Sequence, residues 1–223
     1  MHIEIGIEKF HHESYMAIKF IKKFLVKNNI DRVIKVKYDF DCGEGGYYYP
    51  LMNNDTIFVN PDNCYNLREY NEEDDRPQNT FYPGYCVDNT LFGTIIHEFS
   101  HFLCYKVYKN IIEDYKKTFP KTRLYLNAYS STDIEEELAN IMTLYISNPY
   151  LMKLVSEKHY KFLKGIFKPP RACSVKTCYQ IYKNFPMHVK NELRNKWHII
   201  YNFETKKFEK VEQKDDKTEH WYK

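Results

Sequence analysis

The pentapeptide His97-Glu98-Phe99-Ser100-His101 carries the clearest chemical signal in the chain. Residues four apart on a helix share a face, so both imidazoles can grip one divalent cation. Glu98 directly follows the first histidine and can reach a water on that cation. Zinc lowers the pKa of such a water toward ~7, which makes hydroxide available at neutral pH. A carboxylate beside it can take the water's proton and pass it to a leaving amine. Thr94-Ile95-Ile96 precedes the motif and Phe102-Leu103 follows it. That apolar setting predicts a buried, rigid site.

Two histidines need a third ligand. The pattern His-x-x-Gly-x-x-His would demand Gly and His where the chain has Cys104 and Val107, so that route is closed. Glu113 and Asp114 lie at or beyond the end of the same helix and are not expected to fold back to the metal. The remaining acids are Asp133, Glu135, Glu136 and Glu137 at the start of a later helix. Acids there complement the helix dipole, and Thr132 with Glu135 fits a capping box. Capping accounts for Glu135 but does not require three consecutive glutamates.

The two segments together, His97–His101 and Tyr129-Ser130-Ser131-Thr132-Asp133-Ile134-Glu135-Glu136-Glu137-Leu138-Ala139-Asn140, resemble the gluzincin zinc proteases that include the anthrax lethal factor catalytic domain and the Pro-Pro endopeptidases. That family has a tyrosine seven residues before its ligand glutamate and an alanine three after it. Tyr129, Glu136 and Ala139 match that spacing. The resemblance implies Zn2+ as cofactor, Glu136 as third ligand beside His97 and His101, Glu98 as general base and acid, and Tyr129 as hydrogen-bond donor to the oxyanion. It also implies an α+β zincin-like metalloprotease fold and a peptide or protein substrate. The match covers residues 95 to 140. It departs at Asn140, where lethal factor has an acid, although an amide can also orient a ligand.

These residues need elements to hold them. Leu91, Ile95, Ile96, Phe99, Phe102 and Leu103 give helical spacing to a segment from 89 to 109, capped by Asp88 or Asn89. Ser131 or Thr132 caps a second helix ending at Ser147, with Ile134, Leu138, Ile141 and Tyr145 as its apolar stripe. Glu136 lies off that stripe and shares a face with Asn140 and Thr143. Before them, Ile3/Ile5/Ile7, Val33–Tyr38, Tyr47–Leu51 and Thr56–Asn60 read as strands of a small twisted sheet. His12–Lys27 reads as a helix, with Tyr15, Ile18, Ile21, Phe24 and Leu25 as its apolar set. The polar run 61–87, with Glu72-Glu73-Asp74-Asp75, reads as a surface insertion with a solvated acidic stretch. The glycines at 43, 45 and 46 lack the spacing of a phosphate loop. A single helix is expected from Tyr150 to Phe167.

Pro169-Pro170 marks a linker. The expected organisation is a catalytic domain over 1–168, a basic helical and hairpin extension over 169–211, and a frayed polar tail over 212–223. Lys153 to Val211 holds 14 Lys/Arg against 4 Asp/Glu. An acidic or nucleic-acid partner would suit that balance. However, Lys outnumbers Arg 27 to 6 across the whole chain, and Asn occurs 18 times and Tyr 21 times. This is a genomic base bias that makes lysine and tyrosine clusters background, and the segment holds no nucleic-acid-binding motif. Two rival readings are a non-enzymatic binding module on the same scaffold and a nucleic-acid-associated protein with a structural metal.

With 223 residues, 43% hydrophobic and 28% charged, the composition is that of an ordinary globular protein. The chain has no run of ~18 apolar residues. Met1–Glu8 carries acids where a signal peptide needs basic residues. An intracellular location with no membrane partner is expected, with secretion by a non-classical route left open. Cys42, Cys64, Cys86, Cys104, Cys173 and Cys178 are then expected to be reduced thiols.

Overall fold

Helix α1, His12–Lys27, opens the architecture because Ala17, Ile18, Ile21, Phe24 and Leu25 fall on one side and are buried. Tyr15, expected on that side, is about half exposed. The helix stops where Asn29 takes a left-handed conformation (φ 54°) and Ile30 N–H closes onto the Leu25 carbonyl at 3.0 Å.

In the computed structural model, residues 5–6, 12–51, 55–66, 91–121, 123–126, 133–170, 179, 182–183 and 187–211 are described. The chain divides into two compact units, Met1–Ala172 and Cys173–Lys223. The first is α+β. Its sheet comprises β1 (Ile5–Gly6), β2 (Lys35–Tyr38), β3 (Gly46–Tyr48) and β4 (Thr56–Val59) in the order β1-β2-β4-β3. The first three in that order run parallel, and β3 lies antiparallel on the edge, pairing Tyr47 with Phe58. The rings of that pair stack at 4.9 Å, a cross-strand contact that helps set register.

Helix α2, Pro61–Asn66, follows β4 directly. The run read as a surface insertion therefore opens with a helical turn. Proline at the first helical position and Asn60 Oδ1, which accepts from Asn63 N–H at 3.4 Å, explain the start. Residues 67–90, including the acidic stretch and the expected caps Asp88 and Asn89, lie outside the described residues.

The central element is α3, Leu91–Phe102, in which every residue except His101 is buried. A helix this apolar must be covered on several sides. It packs against α1 through Phe20–Phe92 and Phe24–Phe99 ring contacts at 5.5 and 6.0 Å, against β3 and β4, and against the later helix over Ile134–Ser147. The expected helix to residue 109 changes character at Leu103. Residues Leu103–Val107 form a π-turn closed by Tyr108 N–H to the Leu103 carbonyl at 2.9 Å. Helix α4 (Ile111–Thr118) carries Glu113 and Asp114, which are engaged with Lys117 and Tyr108 away from the histidines.

Helix α5 spans Ile134–Ser147. Its N-cap is Asp133, whose carboxylate accepts from the N–H groups of Glu135 and Glu136 at 2.7 and 2.9 Å. The expected caps Ser131 and Thr132 lie outside the described residues. The single helix expected over 150–167 is two, α6 (Pro149–Val155) and α7 (Glu157–Ile166). Ser156 between them is extended (φ −153°, ψ 103°), and its hydroxyl lies 2.7 Å from His159 Nδ1.

The second unit holds α8 (Met187–Asn195) and a hairpin of β5 (Ile199–Asn202) and β6 (Lys207–Lys210). Tyr182 stacks on Tyr201 at 4.7 Å, and Lys190 lies over the Tyr182 ring. The tail 212–223 lies outside the described residues. No helix among the described residues is long and apolar enough to cross a membrane. Cys42, Cys64 and Cys104 are free thiols, and the other three cysteines lie outside the described residues.

Candidate metal centre

Helices α3 and α5 meet along a ladder of small and polar residues, and this ladder builds the site. Ser100 Oγ donates to the Ile96 carbonyl at 2.8 Å and lies 3.3 Å from Thr143 Oγ1. One turn toward the start of α5, Asn140 Oδ1 lies 3.1 Å from His97 Nδ1. One further turn up, Glu136 faces both histidines, with Oε2 2.9 Å from His97 Nε2 and Oε1 3.4 Å from His101 Nε2. Positions 136, 140 and 143 therefore form the polar face of α5 expected from its sequence.

The Asn140 contact fixes a tautomer. An amide oxygen only accepts, so His97 Nδ1 carries a proton toward Asn140, and Nε2 is the ring nitrogen turned to Glu136 and His101. The two Nε2 atoms lie 3.1 Å apart, with the rings nearly perpendicular. Two imidazole nitrogens and one carboxylate thus converge: the nitrogens lie 3.1 Å apart, and each has a different oxygen of Glu136 near it, at 2.9 and 3.4 Å. Ligands about 2.0–2.1 Å from a tetrahedral zinc lie roughly 3.3 Å from one another, so the donor set has the right spacing. Glu136 Oε2 is buried, with His97 Nε2 2.9 Å away. Burial raises the tendency of this carboxyl to hold a proton, but the imidazoles of His101 and His97 outweigh it and keep the group well below the usual carboxylate range. His97, His101 and Glu136 could together hold a metal ion.

The three consecutive glutamates do different work. Glu135 accepts a hydrogen bond from the Tyr105 hydroxyl. Glu137 is fully buried and accepts from Tyr115 Oη and Leu124 N–H, both at 2.6 Å, and from Arg123 Nε. Only Glu136 faces the histidines. With ~100° between successive helix residues, three neighbours cannot share one target.

A cleft of about 210 Å³ opens beside this group. One wall carries His97, Glu98, His101, Tyr105, Glu135 and Glu136, and the other is β3 with its flanks, from Glu44 to Pro50. Glu98 is buried, at 7% exposure, and reaches the cleft past Gly46. A Cβ on Gly46 would lie 3.2 Å from Glu98 Cγ, 2.6 Å from Thr94 Cγ2 and 3.1 Å from the Phe58 carbonyl oxygen. Glycine is thus needed there for close approach of strand to helix. Tyr129 lies outside the described residues.

Sequence reasoning did not single out Tyr105, Gly46 or the Glu137–Arg123 pair. Tyr105 had a readable signal, since it stands four residues after His101 on the same side of the helix. Gly46 and Arg123 had none, because their partners are distant in sequence. Comparison with protein-family models, curated proteins and solved structures finds no match to this chain.

Proposed function

We propose that the protein is a zinc-dependent endopeptidase of gluzincin type on a zincin-like fold. The observation that carries this reading is the convergence of His97 Nε2, His101 Nε2 and the Glu136 carboxylate at one wall of a cleft that Glu98 also lines. Three protein ligands leave a fourth position open, the hallmark of catalytic rather than structural zinc sites. Zn2+ bound there supplies a Lewis acid and a water acidic enough to lose a proton at neutral pH.

The chain's own residues provide the rest. Asn140 holds His97 in the tautomer that binds. Glu98 accepts the proton of the attacking water and delivers it to the leaving amine. Tyr129, by its spacing from Glu136, is assigned as donor to the oxyanion. Strand β3 lies at the edge of the sheet and lines the cleft, so its outer backbone groups can receive an extended peptide as an added strand. The buried Glu98 argues against a pure binding module, which has no use for a desolvated carboxylate beside metal ligands.

The test is cleavage of a peptide library by zinc-loaded protein, with Glu98→Gln as control. The variant is expected to keep one Zn2+ per chain and lose turnover, because an amide cannot take the proton. Equal cleavage by both proteins would defeat the mechanism, and absence of bound zinc in the wild type would defeat the metal centre.

A further inference from the structure

We propose that Tyr105 and Glu135 form a clasp that positions the third ligand, Glu136, against the two histidines; this rests on the metal reading of the site. Tyr105 and Glu135 both line the cleft, and the tyrosine hydroxyl donates to the Glu135 carboxylate. The bond joins the two ligand-bearing helices beside the metal group. On one side it starts one turn after His101, and on the other it ends one residue before Glu136.

Two local features make such a clasp necessary and possible. Glu136 lies in the first turn of α5, where the backbone N–H groups have no partners within the helix and the turn tends to fray. The Asp133 cap holds the N–H groups of Glu135 and Glu136, but as a contact within α5 it does not tie the turn to the histidine-bearing side of the cleft. The side-chain tie from Tyr105 does so next to Glu136, one turn before the Asn140–His97 contact. On the other helix, Tyr105 belongs to the π-turn at Leu103–Val107. Tyr105, four residues after His101, lines the cleft from within that turn. Such turns recur in proteins where a functional side chain is redirected. The clasp also explains why Glu135 does not compete with its neighbour for the metal, since its carboxylate is held by another group.

Tyr105 and Glu135 are thus positioning residues, and zinc affinity is the property they set. Removing a group bonded directly to a metal ligand typically costs 10- to 100-fold in affinity; Tyr105 and Glu135 act one residue away from Glu136, so the low end of that range is the expected loss. Zn2+ affinity, measured by chelator competition, separates positioning from charge across four variants. Tyr105→Phe keeps every charge and is expected to bind Zn2+ at least 10-fold more weakly than wild type. Glu135→Ala is expected to show a similar loss. Glu135→Gln removes the charge but keeps an oxygen that can accept from Tyr105, so it should stay within a few-fold of wild type. The double variant Tyr105→Phe/Glu135→Ala should be no weaker than Glu135→Ala alone, the non-additivity expected of one shared contact.

Thermal unfolding of each metal-free protein is measured alongside. A clasp that acts on the ligand changes zinc affinity by more than the metal-free midpoint accounts for. Unchanged affinity in Tyr105→Phe would overturn the proposal. So would a Glu135→Gln variant as weak as Glu135→Ala, which would make the effect one of charge. If Tyr105→Phe does not fold, the Glu135→Ala and Glu135→Gln pair decides alone. Wild-type protein that binds no Zn2+ would overturn the metal centre itself, an outcome visible before any variant is compared.

Discussion

Replacing Glu137 with alanine should unfold the first unit more readily without any direct effect on metal ligation. Its side chain is fully buried, yet the residue stands beside the proposed ligand Glu136. One oxygen accepts from Tyr115 Oη and Leu124 N–H at 2.6 Å each, and the other accepts from Arg123 Nε. Alanine leaves two neutral donors without an acceptor, at about 1–3 kcal/mol each. Arg123 is one-third exposed and can turn partly to water, so its share is smaller. Breaking a buried pair by removing one partner costs about 3–5 kcal/mol in comparable cases. Against a typical domain stability of about 5–15 kcal/mol, that is a large fraction. In equilibrium terms it is roughly two to three and a half orders of magnitude in the unfolding constant, taking about 1.4 kcal/mol per tenfold. The assay is urea unfolding in the presence of a chelator, so that metal linkage does not enter. Glu137→Gln, which keeps an acceptor for Leu124 and Tyr115 but points an amide at the guanidinium, should fall between wild type and alanine. A loss below about 1 kcal/mol for Glu137→Ala would refute the reasoning, because the three donors would then have found other partners at little cost.

Two further outcomes follow from the site. Asn140→Ala removes the acceptor of His97 Nδ1 and should weaken Zn2+ binding about 10- to 100-fold, whereas Asn140→Asp, which keeps an acceptor, should retain it; chelator competition measures both. Gly46→Ala places a methyl against Thr94 and Glu98 and should lower kcat against any cleaved peptide while leaving zinc content intact. Adding Thr94→Ser, which removes the closest clashing methyl, should restore part of the stability but not all of the turnover, because the contact with Glu98 remains.

Much of the helical framework was legible in the residue order because its causes are local. The apolar spacing from Leu91 to Phe102 marks a helix that must be covered on several sides, and it places His97 and His101 one turn apart on it. Helix α1 begins and ends where the apolar period and Asn28-Asn29 say it should. The polar face of Glu136, Asn140 and Thr143 could likewise be read as a face. Ser156, by contrast, reads as a residue inside one helix over 150–167, whereas in the folded chain it is extended and separates two helices, with its hydroxyl on His159, whose ring stacks on Phe119 at 4.1 Å.

Which glutamate turns to the histidines was not settled by the residues alone. Asp133, Glu135, Glu136 and Glu137 were all open, and the choice of Glu136 rested on spacing from Tyr129. In the folded chain the choice is made by partners brought in from elsewhere: Tyr105 holds Glu135, while Tyr115, Arg123 and Leu124 hold Glu137. The same limit applies to Gly46, whose need for a bare Cα appears only when β3 is laid against α3. Hydrophobic period and capping act between residues a few positions apart, so one sequence suffices to read them. Ligand selection, the tautomer of His97 and the close approach at Gly46 depend on atoms from segments 13 to 52 residues apart, and only tertiary packing brings those atoms into contact.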